Sequence, residues 1–190
     1  MHSSVRRKNI PASEFKDPFR PTTGKTALAL FNILGVSVGV RGARFLDLFS
    51  GSGRIAIMAA EQGAASVVAV ESDRERASRI GSRFEKISGT ETKCLCSDVK
   101  RALLTFARGG QLFDIIFADP PYSAGWSKTL PALVAESGAL ARGGCFILEH
   151  AARDERASFA SGIGLRGEKR YGDTVLSIYE RTDTGEAREN

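Results

Sequence analysis

A chain of 190 residues with 42% hydrophobic and 26% charged residues is sized for one globular domain with a single sizeable core. It holds no apolar run of the roughly 18 residues that a membrane span needs, and Met1 to Lys8 lack the apolar stretch of a secretory signal, so a cytoplasmic location is expected. The formal net charge of +5 leans toward a polyanionic partner without deciding one. Cys94, Cys96 and Cys145, with only His2 and His150 beside them, argue against a disulfide scaffold or a metal set and for buried structural thiols.

Residues 1–19 are polar, basic and proline-punctuated and read as an arm, with Arg6, Arg7 and Lys8 as candidate contacts to a polyanion. Thr22 and Thr23 are placed to cap a helix over 24–34, with Ala27, Leu28, Leu30, Phe31 and Leu34 on its apolar face and Gly35 as its stop. From residue 44 the chain alternates. A short apolar run from Arg44 ends in Ser50-Gly-Ser-Gly, and 54–62 reads as helix. The Val-rich 66–71 reads as a strand buried on both faces. Residues 73–87 follow as helix, with Arg74, Arg76, Arg79, Arg83 and Lys86 mostly on the wet side. Strand 92–97, helix 99–106 and strand 113–118 lead to Asp119-Pro-Pro-Tyr122. Helix 126–136, strand 144–149 and a short helix over 153–160 come next. Two strand-like runs, 165–171 and 174–181, are joined by Gly172-Asp173, a hairpin signal, and 182–190 is a polar tail. The alternation predicts an α/β fold with helices on both faces of a seven-stranded, mostly parallel sheet that ends in an antiparallel hairpin.

Three strand ends carry candidate ligand groups. In Asp47-Leu-Phe49-Ser-Gly51-Ser-Gly53, glycines between a strand and a helix let the backbone approach a ligand where a side chain would clash. The spacing of Gly51, Gly53 and Ala56 fits a dinucleotide as well as S-adenosylmethionine. Asp47 tilts the choice, because a carboxylate there receives a cationic amino group and repels a pyrophosphate; the alternative is a tight packing turn with a surface aspartate. Glu71, followed by Ser72 at the end of the next strand, is placed to accept from ribose hydroxyls, or is an ordinary solvated glutamate. Asp98 is placed to accept from an adenine amine or to cap the helix after it, and the two roles are compatible.

The fourth motif discriminates most. Asp119-Pro120-Pro121-Tyr122 closes a strand at the edge where open α/β sheets bind ligands. Prolines fix the backbone and leave carbonyls without local partners. Asp119 and the Pro120 carbonyl can accept both hydrogens of an –NH2 group and aim its lone pair at a methyl sulfonium, and Tyr122 offers a face for a base to stack on. Gly24-Lys25-Thr26 looks like the end of a phosphate-binding loop, but the earlier glycine would fall at Phe19 and no strand precedes it, so a helix start is expected there.

In order along residues 20–181, these segments resemble the 16S ribosomal RNA guanine-N2 methyltransferase family. Arg20-Pro-Thr22-Thr23 resembles the family's signature before its first helix and Leu30 to Leu34 its continuation. Phe45 to Gly53 resembles the cofactor loop, Asp119 to Tyr122 the catalytic motif, and Lys169-Arg-Tyr-Gly-Asp-Thr the closing hairpin. Where the family carries an acidic residue, arginines and a glutamate after its opening signature, this chain has Gly24, Lys25, Ala27 and Leu28. The resemblance implies a Rossmann-like methyltransferase domain over 20–181 with S-adenosyl-L-methionine as cofactor and no metal. It implies a target in small-subunit ribosomal RNA, free or in the assembling small subunit, and a catalytic set of Asp119, Pro120, Pro121 and Tyr122. Asp47, Phe49, Gly51, Gly53, Glu71, Ser72, Asp98 and Asp119 are then expected around the cofactor, and Arg6, Arg7, Lys8, Arg20, Thr22, Thr23, Lys25 and Tyr122 along the RNA. A DNA adenine-N6 methyltransferase shares the catalytic motif but usually needs a target-recognition region for which the chain has little room. An NAD-dependent oxidoreductase leaves Asp119 to Tyr122 without a role, and a non-catalytic RNA-binding module leaves both motifs unexplained.

Overall fold

The apolar runs at 45–48, 67–70 and 115–118 have no wet face, and they become the central strands of one sheet. The computed structural model describes residues 24–121, 125–160 and 162–182. Helix α1 (Gly24–Val36) leads into β1 (Arg44–Leu48), α2 (Arg54–Glu61), β2 (Ser66–Glu71), α3 (Arg74–Phe84), β3 (Glu91–Cys96), α4 (Val99–Gly109), β4 (Phe113–Ala118) and α5 (Trp126–Ser137). The chain closes with β5 (Leu140–Ala151), β6 (Phe159–Ala160), β7 (Ile163–Tyr171) and β8 (Thr174–Arg181). The strand order is β3-β2-β1-β4-β5-β8-β7-β6. Strands β3 to β5 run parallel, and β8, β7 and β6 add antiparallel partners. All seven expected strands are present, and the two-residue β6 is an edge addition.

Side-chain alternation splits the core in two. Phe45, Val67, Ala69, Ile115 and Ile147 point to a layer filled by α1, α2 and α3. Leu46, Val68, Val70, Ile116 and Phe146 point to a second layer filled by α4 and α5. Each such large side chain, taken fully out of water, stabilises the fold by about 1.5–3 kcal/mol. At the base of the sheet Arg44 grips Asp114 with its backbone N–H (2.8 Å), Nε (3.1 Å) and Nη2 (2.8 Å), pinning β1 against β4. That guanidinium holds the Asp114 carboxyl below the usual carboxylate range.

Four local expectations need correction. Gly35 does not stop α1; the helix runs to Val36, and the N–H groups of Ser37 (3.2 Å) and Gly39 (2.8 Å) close it on the Leu34 carbonyl, with Gly39 left-handed at φ +76. Residues 153–160 form no helix. Asp154 accepts from the Ala151 N–H (3.2 Å), Ser127 donates to the Glu155 carbonyl (2.7 Å) and Tyr179 to the Ala157 carbonyl (2.7 Å), so tertiary hydrogen bonds take the backbone groups a helix would use. Cys145 is buried, but Cys94 is half-buried and Cys96 exposed, because β3 is the sheet's edge and packs on one side only. Strand β5 begins at Leu140 rather than Gly144. Phe113 pairs with Leu140 and Ile115 with Cys145, so β5 carries an irregularity around Gly143, which is left-handed at φ +72.

At that irregularity a β-carbon on Gly144 would lie 2.7 Å from the Asp114 carbonyl oxygen and 3.1 Å from that of Ala141, both backbone. Gly144→Ala is therefore expected to destabilise the protein by about 1–3 kcal/mol. Gly81→Ala, in helix α3 with nothing within 4 Å of the new carbon, should stabilise it by about 0.5–1 kcal/mol. Urea unfolding midpoints of the two variants check both signs.

Candidate active site

Strand register brings the chemistry together. Leu48 pairs with Val70 on one side and Ala118 on the other, so the residues after β1, β2 and β4 emerge side by side at one edge of the sheet. A cleft of about 410 Å3 opens there, walled by the loop after β1, the end of β2, the start of α4 and the residues after β4. Asp47, Phe49, Gly51, Glu71, Ser72, Asp98, Asp119 and Pro121 all line it. Pro120 is buried and lines not the cleft but a small adjoining void with Pro121, Trp126, Glu149, His150 and Asp154. Tyr122, Arg6, Arg7, Lys8, Arg20, Thr22 and Thr23 lie outside the described residues, and Lys25 falls in the first turn of α1.

The loop after β1 is built from exceptions to ordinary backbone. Phe49 is left-handed (φ 62), a conformation that costs a non-glycine residue about 1–2 kcal/mol; its ring is held edge-on by Trp126, centroids 5.1 Å apart. The Ser50 hydroxyl donates to the Asp47 carbonyl (2.8 Å) and accepts from the Val70 N–H (3.1 Å), stitching β1 to β2. Gly51 (φ 53) presents its N–H to Glu71 Oε2 at 2.8 Å. Gly53 (φ 74) does not line the cleft. It starts α2, and a β-carbon there would meet Ile80 Cγ1 at 2.6 Å, so its role is the close passage of α3 behind the loop.

Glu71 is neither solvated nor free for a ligand alone. It is 5% exposed; Oε2 takes the Gly51 N–H and Oε1 the Asp73 N–H (2.8 Å), with Arg76 Nη2 at 3.3 Å. Asp98 caps α4, accepting from the Arg101 N–H at 3.0 Å while its carboxylate still borders the cleft. Asp47, buried at 2% exposure, accepts from the Ala56 N–H at 3.2 Å. Burial pushes its carboxyl up to about 8; the Ala56 and Ser50 contacts oppose this, while the negative charges of Asp119 and Glu71 add to it.

Several residues around the cleft escape a reading by residue type. Arg76, Ile80 and Arg83 share one stripe of α3 and support the loop from behind: Arg76 on Glu71, Ile80 under Gly53, and Arg83 Nη1 on the Ser52 carbonyl (3.3 Å). These two arginines are not on the wet side. The ammonium of Lys100 lies 5.7 Å from the centroid of the Trp126 ring, at the cleft wall. The available signal was electrostatic. Arg54 and Lys100 both stand in the first turn of a helix, where the macrodipole disfavours a cation.

Four carboxylates, Asp47, Glu71, Asp98 and Asp119, face the cleft with Arg54, Arg76 and Lys100. The Gly51 N–H, which a dinucleotide fold would aim at a pyrophosphate, is already given to Glu71. The cleft thus suits a ligand with a cationic end and hydroxyl or amine donors. Among the described residues no group of three His, Cys, Asp or Glu side chains is arranged to hold a metal ion, and no helix is long and apolar enough to cross a membrane.

A family model described as "Conserved hypothetical protein 95" matches residues 3–180. The chain is 31% identical to the Bacillus subtilis protein named "Putative rRNA methyltransferase YlbH" over 163 residues, 85% of this chain and 88% of that one. It is 26% identical to "Ribosomal RNA small subunit methyltransferase D" of Escherichia coli, over 88% of this chain and 82% of that one. Among solved structures, the Escherichia coli "Putative methyltransferase yhhF" superposes with a TM-score of 0.73 at 24% identity, covering 86% of this chain and 89% of that one; this likeness is one of fold.

Asp47 sets a pH dependence. Its folded-state value of about 8 lies above the ordinary 3.8, so its contribution to stability is complete below the ordinary value and is lost as pH rises through about 8. Without ligand, the melting temperature of the protein should carry a downward component between about pH 4 and pH 8 that Asp47→Asn removes. Thermal melts of both proteins across that range check it; parallel curves would place the Asp47 carboxylate in a wetter site than the fold shows.

Proposed function

We propose, because the chain belongs to the family described as conserved hypothetical protein 95, that it is an S-adenosylmethionine-dependent methyltransferase acting on small-subunit ribosomal RNA. Its acceptor on this reading is the N2 amine of a guanine. The observation that carries the chemistry is the cleft itself: a carboxylate-lined wall beside Asp119, with the glycine-loop N–H withheld from phosphate by Glu71. The names of the two ribosomal RNA methyltransferase relatives support the substrate class. The Arg20 to Thr23 and Lys169 to Thr174 resemblances support the N2 position. Residues 20–181 are taken as the catalytic domain, residues 1–19 as a basic arm that meets the RNA, and the cytoplasm as the site of action.

The cofactor, when bound, supplies a methyl group on a positively charged sulfur, so the protein's part is positioning and electrostatics. Glu71 and Asp98 would accept from its hydroxyl and amine donors. Asp47 would receive its ammonium, and a cation there would return the buried carboxyl to its charged form. Phe49 and Trp126 wall the cleft beside Pro121. Asp119 accepts one hydrogen of the exocyclic amine and the Pro120 carbonyl the other, which turns the nitrogen lone pair toward the methyl group. Asp119 or water would take the proton that the amine gives up on methylation. A paired base is out of reach of this edge, so the target is presented from a loop or flipped out.

Two measurements test the proposal. Asp119→Ala should lower the methylation rate by about 100-fold or more, the scale of losing a positioned polar contact to a reacting group, with cofactor affinity nearly unchanged. Near-normal turnover would remove Asp119 from the reaction. Separately, the purified protein is incubated with labelled cofactor and small ribosomal subunits, naked small-subunit RNA or duplex DNA, and the digested nucleosides are identified. N2-methylguanosine from the RNA arms is the expected product. N6-methyladenine from DNA alone would overturn the substrate and keep the amine chemistry.

A further inference from the structure

The closing hairpin is a second feature of the ligand-binding edge with no part in the cleft. Strand β8 runs antiparallel to β5, and its first residue, Thr174, pairs with the last residue of β5, Ala151, while Tyr171 pairs with Thr174. The turn between β7 and β8 therefore lies at the same edge of the sheet as Asp119. It also stands higher: Ala118 is level with Leu148, and Ala151 is three residues further on, a rise of about 10 Å at the usual advance per strand residue. Strands β5 and β8 separate β4 from β7, which sets the tip roughly 14 Å to the side of the catalytic strand at ordinary strand spacing. The hairpin is thus a raised wall beside Asp119 to Pro121.

Its charge is distributed selectively. Two cations on or beside β7 are neutralised: Arg156 pairs with Glu168 and Arg166 with Glu180. At the tip, Lys169 and Arg170 are exposed, leaving β7 on its two faces so that they flank anything laid across the tip, and Arg153 in the turn after β5 is exposed too; among the described residues none of the three is in an ion pair. Of the acids nearby, Glu168 is taken up by Arg156 and Ser177, Glu155 by Lys128, Asp154 turns inward to the Ala151 N–H, and Asp173 is exposed in the turn. The platform is firm. Arg170 Nε donates to the Gly172 carbonyl at 2.9 Å, and the Ala152 N–H to that of Asp173 at 2.9 Å, tying the Arg153 turn to the hairpin tip.

We propose that Arg153, Lys169 and Arg170 form a phosphate-binding platform for the RNA strand flanking the target base. The platform holds that strand above the rim of the cleft. This rests on the reading of the protein as an RNA methyltransferase. Backbone phosphates fit three unpaired cations on a rigid, exposed turn, and contacts of this kind fix position without reading sequence.

The test uses the full chain and a fluorescein-labelled single-stranded fragment of small-subunit ribosomal RNA, with affinity measured against salt. For Arg153→Gln/Lys169→Gln/Arg170→Gln the slope of log affinity against log salt should shallow by about 2, since each phosphate contact to a single strand contributes roughly 0.7. The KM for RNA should rise by about tenfold or more, while kcat, cofactor affinity and melting temperature stay near wild type. Arg153→Gln/Lys169→Gln leaves the Arg170 bond to Gly172 intact and should give about two thirds of that change in slope. An unchanged slope and KM in both variants would overturn the platform while wild-type methylation of RNA left the function standing. A wild-type protein that neither binds nor methylates RNA would overturn both.

Discussion

A glutamate with both oxygens on backbone N–H groups has little freedom to move, and Glu71 is in that position. Its carboxylate joins the loop after β1, through Gly51, to the turn after β2, through Asp73. Two separate strand ends become one rigid rim, and the rest of the cleft is referenced to it. Helix α3 reinforces the arrangement from behind with Arg76, Ile80 and Arg83, so the loop is fixed by a surface rather than by its own sequence. Each of these contacts is worth only about 0.5–3 kcal/mol. Their value lies in removing alternatives for a loop that includes a left-handed phenylalanine.

The same carboxylate decides the polarity of the site. A glycine-rich turn before a helix is an anion site by default, because its N–H groups and the helix dipole both favour negative charge. Here Glu71 takes that N–H and adds a negative charge of its own, and Asp98 and Asp119 add two more beside the buried Asp47 carboxyl. A motif that by spacing fits two ligand classes thereby becomes selective for the cationic one. The burial of Asp47 is part of this. A carboxyl held uncharged by desolvation is restored to its charged form by an incoming cation.

How much of this is legible in the sequence follows from where each interaction is made. Strands β1, β2 and β4 are legible because burial on both faces leaves a mostly apolar run, and the hairpin because Gly172-Asp173 separates two strand-like runs. Asp47, Glu71, Asp98 and Asp119 are legible as strand-end acids, but what each carboxylate touches is not. Glu71 reads first as a ligand acceptor and second as a solvated side chain, and only the fold shows the Gly51 N–H across from it. Arg76 and Arg83 read as a wet face because arginine on an amphipathic helix usually is one. Their turn inward depends on the loop packed behind them. Residues 153–160 carry helix-forming side chains, yet distant hydroxyls claim their carbonyls.

The far side of the sheet raises a different matter. Among the described residues β6 covers only Ile163 and Gly164, so the outer edge of β7 beyond them carries backbone donors and acceptors to which another strand could add. Residues Arg166, Glu168, Lys169 and Arg170 occupy that stretch, and the pairing of β7 with β8 slips between Leu165 and Gly167. Charge and a bent strand make a poor template for edge-to-edge growth. The strand that completes the domain at this end therefore offers little for a further strand to add to, so the sheet closes itself on the hairpin side.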